Sequence, residues 1–189
     1  MKKLSLKQKQ KALAKIAQEI EICQECKKDK IGVAVPGEGN ANAEIVFIGE
    51  APGKKEAIEG RPFIGRAGKV LRGLISEVGL KDEEVFITSP VKYLPVYITP
   101  KLTDIEHGRT HLFEQFKIIQ PKIIVLMGNV AAIAVLGEKF FIAKDHGKIV
   151  KKEGKTYFIS YHPAAQLYAP KLKEVMHLDF LKLKKLIKK

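Results

Sequence analysis

Residues 43–53 read AEIVFIGEAPG, an uninterrupted apolar run from Ile45 to Ile48 followed at once by Gly49, Glu50, Ala51, Pro52 and Gly53. A β-branched run this short, bounded by Gly and Pro, is too brief for a core helix and reads as a buried strand running into a turn. The loop beyond it continues to Gly68 as KKEAIEGRPFIGRAG, rich in Gly and Pro and carrying Glu56. From Lys69 to Val78 the apolar residues Val70, Leu71, Leu74, Ile75 and Val78 fall on one face of a helix.

The same alternation repeats downstream. EEVFITSPVKY (83–93) is a second apolar strand, followed by a Pro- and Thr-containing loop from Leu94 to Thr103 and a helix to Ile119. Asp104 and Glu106 lie near the start of that helix, where its dipole favours negative charge. PKIIVLMGNVAAIAVLG (121–137) is a third strand turning at Gly128 into a short apolar helix. KTYFISYHPAAQLY (155–168) is a fourth strand ending at His162 and Pro163, and Lys171 to Lys189 forms a basic amphipathic helix. Upstream, Leu6 to Ile22 has helical periodicity and ends near Cys23, and a Gly-rich link runs from Val35 to Asn40. Strands alternating with helices imply an α/β fold, a three-layer α/β/α sandwich with a mostly parallel four-stranded central sheet, as a single domain over residues 1–189. In such a sheet the site forms at the carboxyl ends of the strands, here GEAPG, TSPVKY, MGN and SYHPAA.

The 189 residues, 46% of them hydrophobic, suffice for one well-packed core. With 34 Lys and Arg against 21 Asp and Glu, the formal net charge is +13. A compact chain so charged repels itself unless a polyanion offsets it, which makes nucleic acid the first partner to consider beside a merely lysine-rich surface. No apolar run approaches the length of a membrane span, and the basic N-terminus lacks the core of a signal peptide, so a soluble, cytoplasmic protein with no membrane partner is expected. The only cysteines, Cys23 and Cys26, provide no disulfide framework. Their CxxC spacing is compatible with half a metal site, a redox pair or a relic.

Three readings of the loop after the first strand stay open on its residues alone: a phosphate cradle, a pair of acid/base carboxylates, or the wall of a pocket for a flat ligand. Neither GxGxxG nor GxxxxGK[ST] is present, which counts against a nucleoside triphosphate. Phe63 can be a core anchor or a platform for stacking a base. His162 precedes a proline, so its backbone is extended and its ring is aimed out of the sheet; it can serve the core or donate to a developing anion. Glu50 and Glu56 can divide acid and base work only if their environments differ. The basic C-terminal segment fits a packed helix with a solvated face.

In this order and spacing, Cys23 and Cys26, VPGEGN, IVFIGEAPGKKEAIEGRPFIGRAGKVL, VFITSPVKY, IIQPKIIVLMGNVA and YHPAAQL resemble the family 4 uracil-DNA glycosylases. The resemblance implies an enzyme of base-excision repair that flips a deaminated base, uracil first, out of double- or single-stranded DNA and hydrolyses its N-glycosidic bond. It assigns Glu50, Glu56 and His162 to catalysis, with His162 stabilising charge on uracil O2. Phe63 stacks on the base, and Ala51 and Ser89 complete the base pocket. DNA contacts fall to Arg66, Lys92, Pro163, Ala164, Gln166 and Leu167, the residues after His162 filling the gap left by the flipped nucleotide. The chemistry needs no cofactor, and the working form is expected to be a monomer.

Departures from the family pattern bear on specificity and on the cofactor. Ser89 stands where the family has an asparagine that reads O4 and N3 of uracil, Pro90 removes a backbone donor, and Ala57 replaces a frequent acid. Altered preference, for hypoxanthine or xanthine, and a DNA-binding protein with little turnover are therefore the rival readings. The family holds a [4Fe–4S] cluster with four cysteines, of which only Cys23 and Cys26 are present. Tyr93 takes the third position and the fourth falls near Gly108, so the cluster is expected to be absent, with Tyr93 filling part of its space. His107 and His111 lie close enough in sequence to make a Cys₂His₂ site the alternative.

Overall fold

The computed structural model describes residues 4–97 and 99–187. In chain order its helices are α1 (Leu6–Ile22), α2 (Gln24–Lys27), α3 (Lys54–Glu59), α4 (Arg66–Glu77), α5 (Leu102–Ile119), α6 (Asn129–Leu136), α7 (Ile142–Asp145), α8 (Ala165–Tyr168) and α9 (Leu172–Ile187). Its strands are β1 (Lys30–Ile31), β2 (Glu38–Gly39), β3 (Ile45–Ile48), β4 (Phe86–Thr88), β5 (Leu94–Pro95), β6 (Ile123–Met127), β7 (Ile149–Lys152) and β8 (Lys155–Ser160). The last two residues of the C-terminal helix expected from sequence, 188 and 189, lie outside the described residues.

The sheet has six strands rather than four, in the order β2-β4-β3-β6-β8-β7. Its four middle strands are the four anticipated, and every pair among them is parallel. The two additions are antiparallel edges. Strand β2 comes out of the Gly-rich link, and only glycine fits there: at Gly39 φ is +129° and a Cβ would stand 2.1 Å from Val85 O. Strand β7 turns into β8 through Glu153 and Gly154, both at positive φ (51° and 72°), the backbone of a tight hairpin. Strands β1 and β5 form a separate antiparallel ribbon.

Side chains of β3 point alternately to the two faces, and all four are buried. Ile45 and Phe47 pack with Leu71, Leu74 and Ile75 of α4 and with Met176, Phe180 and Leu183 of α9. Val46 and Ile48 face Leu112 and Phe116 of α5 and the alanines of α6. Helix α1 lies outside α5, where Ile16 and Ile20 join Cys26 and Tyr93 in a third cluster. Its start is fixed by a capping box between Ser5 and Gln8. Among the described residues no helix is long and apolar enough to cross a membrane.

The chain leaves β3 toward β4 and then returns across β3 to β6, so the connections diverge at the carboxyl ends of β3 and β6. A crevice opens at such a switch point. The sheet face beneath it is closed by Phe47 and Phe180, whose rings stack 6.1 Å apart. Truncating Phe180 to alanine should lower unfolding stability by about 3–5 kcal/mol in a denaturant titration, the usual cost of emptying a buried aromatic site.

Candidate active site

Two aromatic rings meet over Gly49, the first residue beyond β3. A Cβ placed on Gly49 would stand 2.6 Å from Phe63 Cζ and 3.6 Å from His162 Nε2. The rings of Phe63 and His162 are 5.7 Å apart and tilted by 33°. Any side chain at position 49 would therefore displace Phe63.

Phe63 occupies the left-handed region, φ +53°, a backbone state that bulky residues rarely adopt. Two features hold it there. Glu56 Oε1 accepts hydrogen bonds from the amides of Ile64 (2.9 Å) and Gly65 (2.8 Å). Gly68, in the first turn of α4, lets the Phe63 carbonyl approach so closely that a Cβ would stand 1.8 Å from it. Gly65 caps α4 without a side chain, so the Glu56 carboxylate is also the negative charge at that positive helix end. The structure thus engages Glu56, expected as a second catalytic acid, as the anchor of the aromatic loop.

His162 sits at the end of β8. The amide of Ala164 donates to its Nδ1 at 3.2 Å, leaving Nε2 to carry the proton and face Gly49. Burial among apolar neighbours lowers its pKa to about 4, so at neutral pH the ring is an uncharged Nε2–H donor. Gly128, at φ +87° after β6, leaves room beside it, since a Cβ there would lie 3.4 Å from His162 Cβ. Next to it, Tyr161 rests on His146 with ring centres 5.1 Å apart. His146 Nδ1 is in turn 2.6 Å from buried Asp179 of α9. No motif announced that prop, because its parts come from three separate segments.

Glu50 follows Gly49 at the mouth of the crevice, half-buried, with burial raising its pKa. Among the described residues no hydrogen bond engages its carboxylate, which leaves it free for a water or substrate. Ala51 is half-buried against the α5 and α6 side of the core. Ser89 is buried at the end of β4, and its hydroxyl donates to Val91 O at 2.8 Å, so its one proton is committed within its own loop.

Of the residues expected to meet DNA, Arg66 and Leu167 are exposed, and Ala164 and Gln166 are half-buried. Tyr168 beside them is 82% exposed. Two expectations are corrected. Lys92 is only 2% exposed, and its Nζ donates to Pro36 O (3.1 Å), Thr88 Oγ1 (2.8 Å) and Gln115 Oε1 (3.1 Å). It fastens the interior instead of meeting a phosphate, and burial lowers its pKa to about 7. Pro163 is buried, so it orients the loop after His162 and does not reach a groove.

Residues 36–183 match the family model described as the uracil DNA glycosylase superfamily. The chain belongs to that superfamily. Similar curated proteins include the Type-4 uracil-DNA glycosylases of Sulfurisphaera tokodaii, 41% identical over 93% of this chain and 84% of the relative, and of Archaeoglobus fulgidus, 38% identical over 91% and 92%. That of Thermotoga maritima is 37% identical over 82% and 83%.

Within this superfamily member the departures have visible surroundings. Ala57 is buried against the 32–33 turn, where Val33 N donates to its carbonyl at 2.8 Å, and a carboxylate there would be stripped of water. Away from the crevice, Cys23, Cys26, His107 and His111 converge, each offering a ligand atom within 4.8 Å of the others.

Two measurements test these assignments. Glu56→Ala removes the acceptor of two loop amides and should cost about 1–3 kcal/mol in denaturant unfolding, with faster hydrogen exchange confined to residues 60–68. For His162, the folded pKa of about 4 lies below the ordinary 6.5. The unfolded chain then binds a proton that the folded chain does not, so stability is level above pH 6.5 and falls as pH drops toward 4. The loss should reach up to about 3 kcal/mol, reduced by residual solvent contact, and His162→Gln should abolish that segment of the pH profile.

Proposed function

We propose that this protein is a monofunctional DNA glycosylase of base-excision repair that hydrolyses the bond between a flipped deaminated base, uracil first, and its deoxyribose. The observation that carries the reading is the convergence of the Phe63 ring, on a backbone held at positive φ, and the neutral Nε2–H of His162 over a glycine at the sheet's switch point. That geometry suits a flat heterocycle: one face stacked on Phe63, one carbonyl directed at Nε2. The similarity to Type-4 uracil-DNA glycosylases gives the heterocycle its identity.

Cleavage leaves the bonding electron pair on the base, whose charge spreads onto O2, while C1′ of the sugar becomes cationic. A water oxygen then bonds to C1′ and its released proton neutralises the departing base, giving free base and an abasic site. A neutral donor at O2 acts mainly in the transition state, where the charge grows, and so lowers the barrier instead of tightening ground-state binding. Glu50, unpaired and half-desolvated, is suited to orient the attacking water and to offset the cationic sugar. Glu56 is a positioning residue that acts through Phe63. Arg66, Gln166, Leu167 and Tyr168 form the surface offered to DNA, with the net charge of +13 drawing in the polyanion. No step of this chemistry uses an iron–sulfur cluster.

One observation favours a second reading of specificity. With its proton held by Val91 O, Ser89 offers only acceptor capacity to a base, unlike an amide that both donates and accepts. Discrimination among uracil, hypoxanthine and xanthine should therefore be shallower than a base-reading amide would give.

The test is single-turnover cleavage, with alkali to reveal abasic sites, on duplexes holding uracil, hypoxanthine or xanthine and on single-stranded uracil DNA. Wild type should cleave uracil, and His162→Ala should slow it about 100- to 1,000-fold with DNA affinity almost unchanged. Tight, salt-sensitive binding without cleavage of any substrate would overturn the enzymatic reading. A wild-type rate in the variant would remove His162 from the chemistry.

A further inference from the structure

The four-cysteine cluster implied by family resemblance does not fit this chain. It has two cysteines in all. At the third ligand position Tyr93 is buried with Ile16, Ile20 and Cys26, its hydroxyl donating to Glu21 O at 3.3 Å. At the fourth, a Cβ on Gly108 would stand 2.1 Å from Pro90 O, so no side chain is accommodated without moving the 90–91 backbone.

We propose that the same corner is instead a closed, mononuclear Cys₂His₂ site for a tetrahedral divalent metal, zinc by preference, with Cys23, Cys26, His107 and His111 as ligands. The sequence supplies C-x₂-C and H-x₃-H, spacings typical of structural zinc sites. The first pair spans the break between α1 and α2, where Cys23 both ends one helix and caps the next. The second lies one turn apart on α5, so both imidazoles share a face.

The donors are already gathered. Cys23 Sγ is 3.2 Å from His107 Nε2, the His107 and His111 rings are 5.8 Å apart, and no ligand atom is more than 4.8 Å from another. Zinc bonds of about 2.3 Å to sulfur and 2.0–2.1 Å to nitrogen place tetrahedral donors about 3.4–3.8 Å apart. Small side-chain rotations close that difference. The amide of Cys26 donates to Cys23 Sγ at 3.4 Å, which fixes where that sulfur points.

A further sign lies behind one of the four ligands. His111 Nδ1 and Glu114 Oε2 are both buried and without a hydrogen-bond partner, yet they stand 3.4 Å apart. With His111 Nε2 on a metal, Nδ1 carries a proton toward that carboxylate, the arrangement by which ligand imidazoles are oriented and made more basic. Two thiolates balance the dication, and the four protein donors leave no open position. The metal would tie α1 and α2 to α5 and take no part in base excision.

The test is metal content and spectroscopy of the full chain. Protein purified anaerobically from medium containing both iron and zinc should hold about one zinc per chain, with iron and acid-labile sulfide far below the roughly four of each that a [4Fe–4S] centre requires. Metal-free wild type titrated with Co²⁺ should develop intense tetrahedral d–d bands and thiolate-to-cobalt charge transfer, reversed by zinc. Cys23→Ser and His107→Gln should each weaken binding at least tenfold, while His177→Gln, which alters a histidine paired with Glu77 across the molecule, should not. About four iron and four sulfide per chain, or a folded wild type that gives only octahedral cobalt spectra, would overturn the proposal. These readouts do not depend on glycosylase activity.

Discussion

One carboxylate oxygen, Oε1 of Glu56, binds two consecutive backbone amides, those of Ile64 and Gly65, and the pocket takes its shape from that grip. It holds the turn in which Phe63 is forced to positive φ, and it supplies the charge that the side-chain-less Gly65 cannot give to the start of α4. Helix α4 then buries Leu71, Leu74 and Ile75 against Phe47 of β3. Gly49, over which the Phe63 ring lies, follows Phe47 by two residues at the end of that strand. Loop, helix and strand thus form a closed mechanical circuit. The strain at Phe63 persists because every neighbour in that circuit is fixed by the core, as is usual where a backbone is held out of its preferred region for a purpose.

His162 completes the pocket by a different means. Its environment withholds charge from the imidazole, and a single backbone amide selects the tautomer. A charged ring would bind any anion, including the phosphates that a protein of net charge +13 meets everywhere along DNA. A neutral donor reserves its strongest interaction for a charge that develops only at that spot. In the proposed reaction the labour divides: surface cations act at long range and without sequence preference, and the desolvated ring acts at short range in the transition state.

The four parallel strands were legible because Ile45–Ile48, Phe86–Thr88, Ile123–Met127 and Tyr157–Ile159 are apolar on both faces, a pattern few other structures tolerate. The edge strands were not: Glu38–Gly39 has no apolar signal, and Ile149–Lys152 is mostly exposed and held by its hairpin turn. Phe63 and His162 could be singled out by their settings, since an aromatic among glycines and a histidine before proline are each unusual. The tasks of Glu56 and Lys92 could not. Whether a carboxylate points at a substrate or at two loop amides, and whether an ammonium reaches a phosphate or three interior oxygens, depends on contacts across 8 and 9 residues in one case and up to 56 in the other. No local pattern encodes that choice.

Lys92 also explains why the two unusual regions of the molecule are not independent. Its ammonium joins Pro36, Thr88 and Gln115, so it links the entrance of β2, the end of β4 and the middle of α5. Ser89 lies one residue beyond Thr88, and Tyr93 lies one beyond Lys92. Helix α5 carries His107 about two turns and His111 about one turn before Gln115. Helix α5, through Gln115, and the segment that bears Ser89, through Thr88, thus meet at one buried hydrogen-bonded ammonium. Where the family resemblance implies a cysteine ligand within that segment, this chain has the buried Tyr93. Tyr93 and Ser89, two departures from the pattern the resemblance implies, fall on one short stretch of backbone. Moving either the corner or that stretch alone would break the hydrogen bonds that hold Lys92 in the interior.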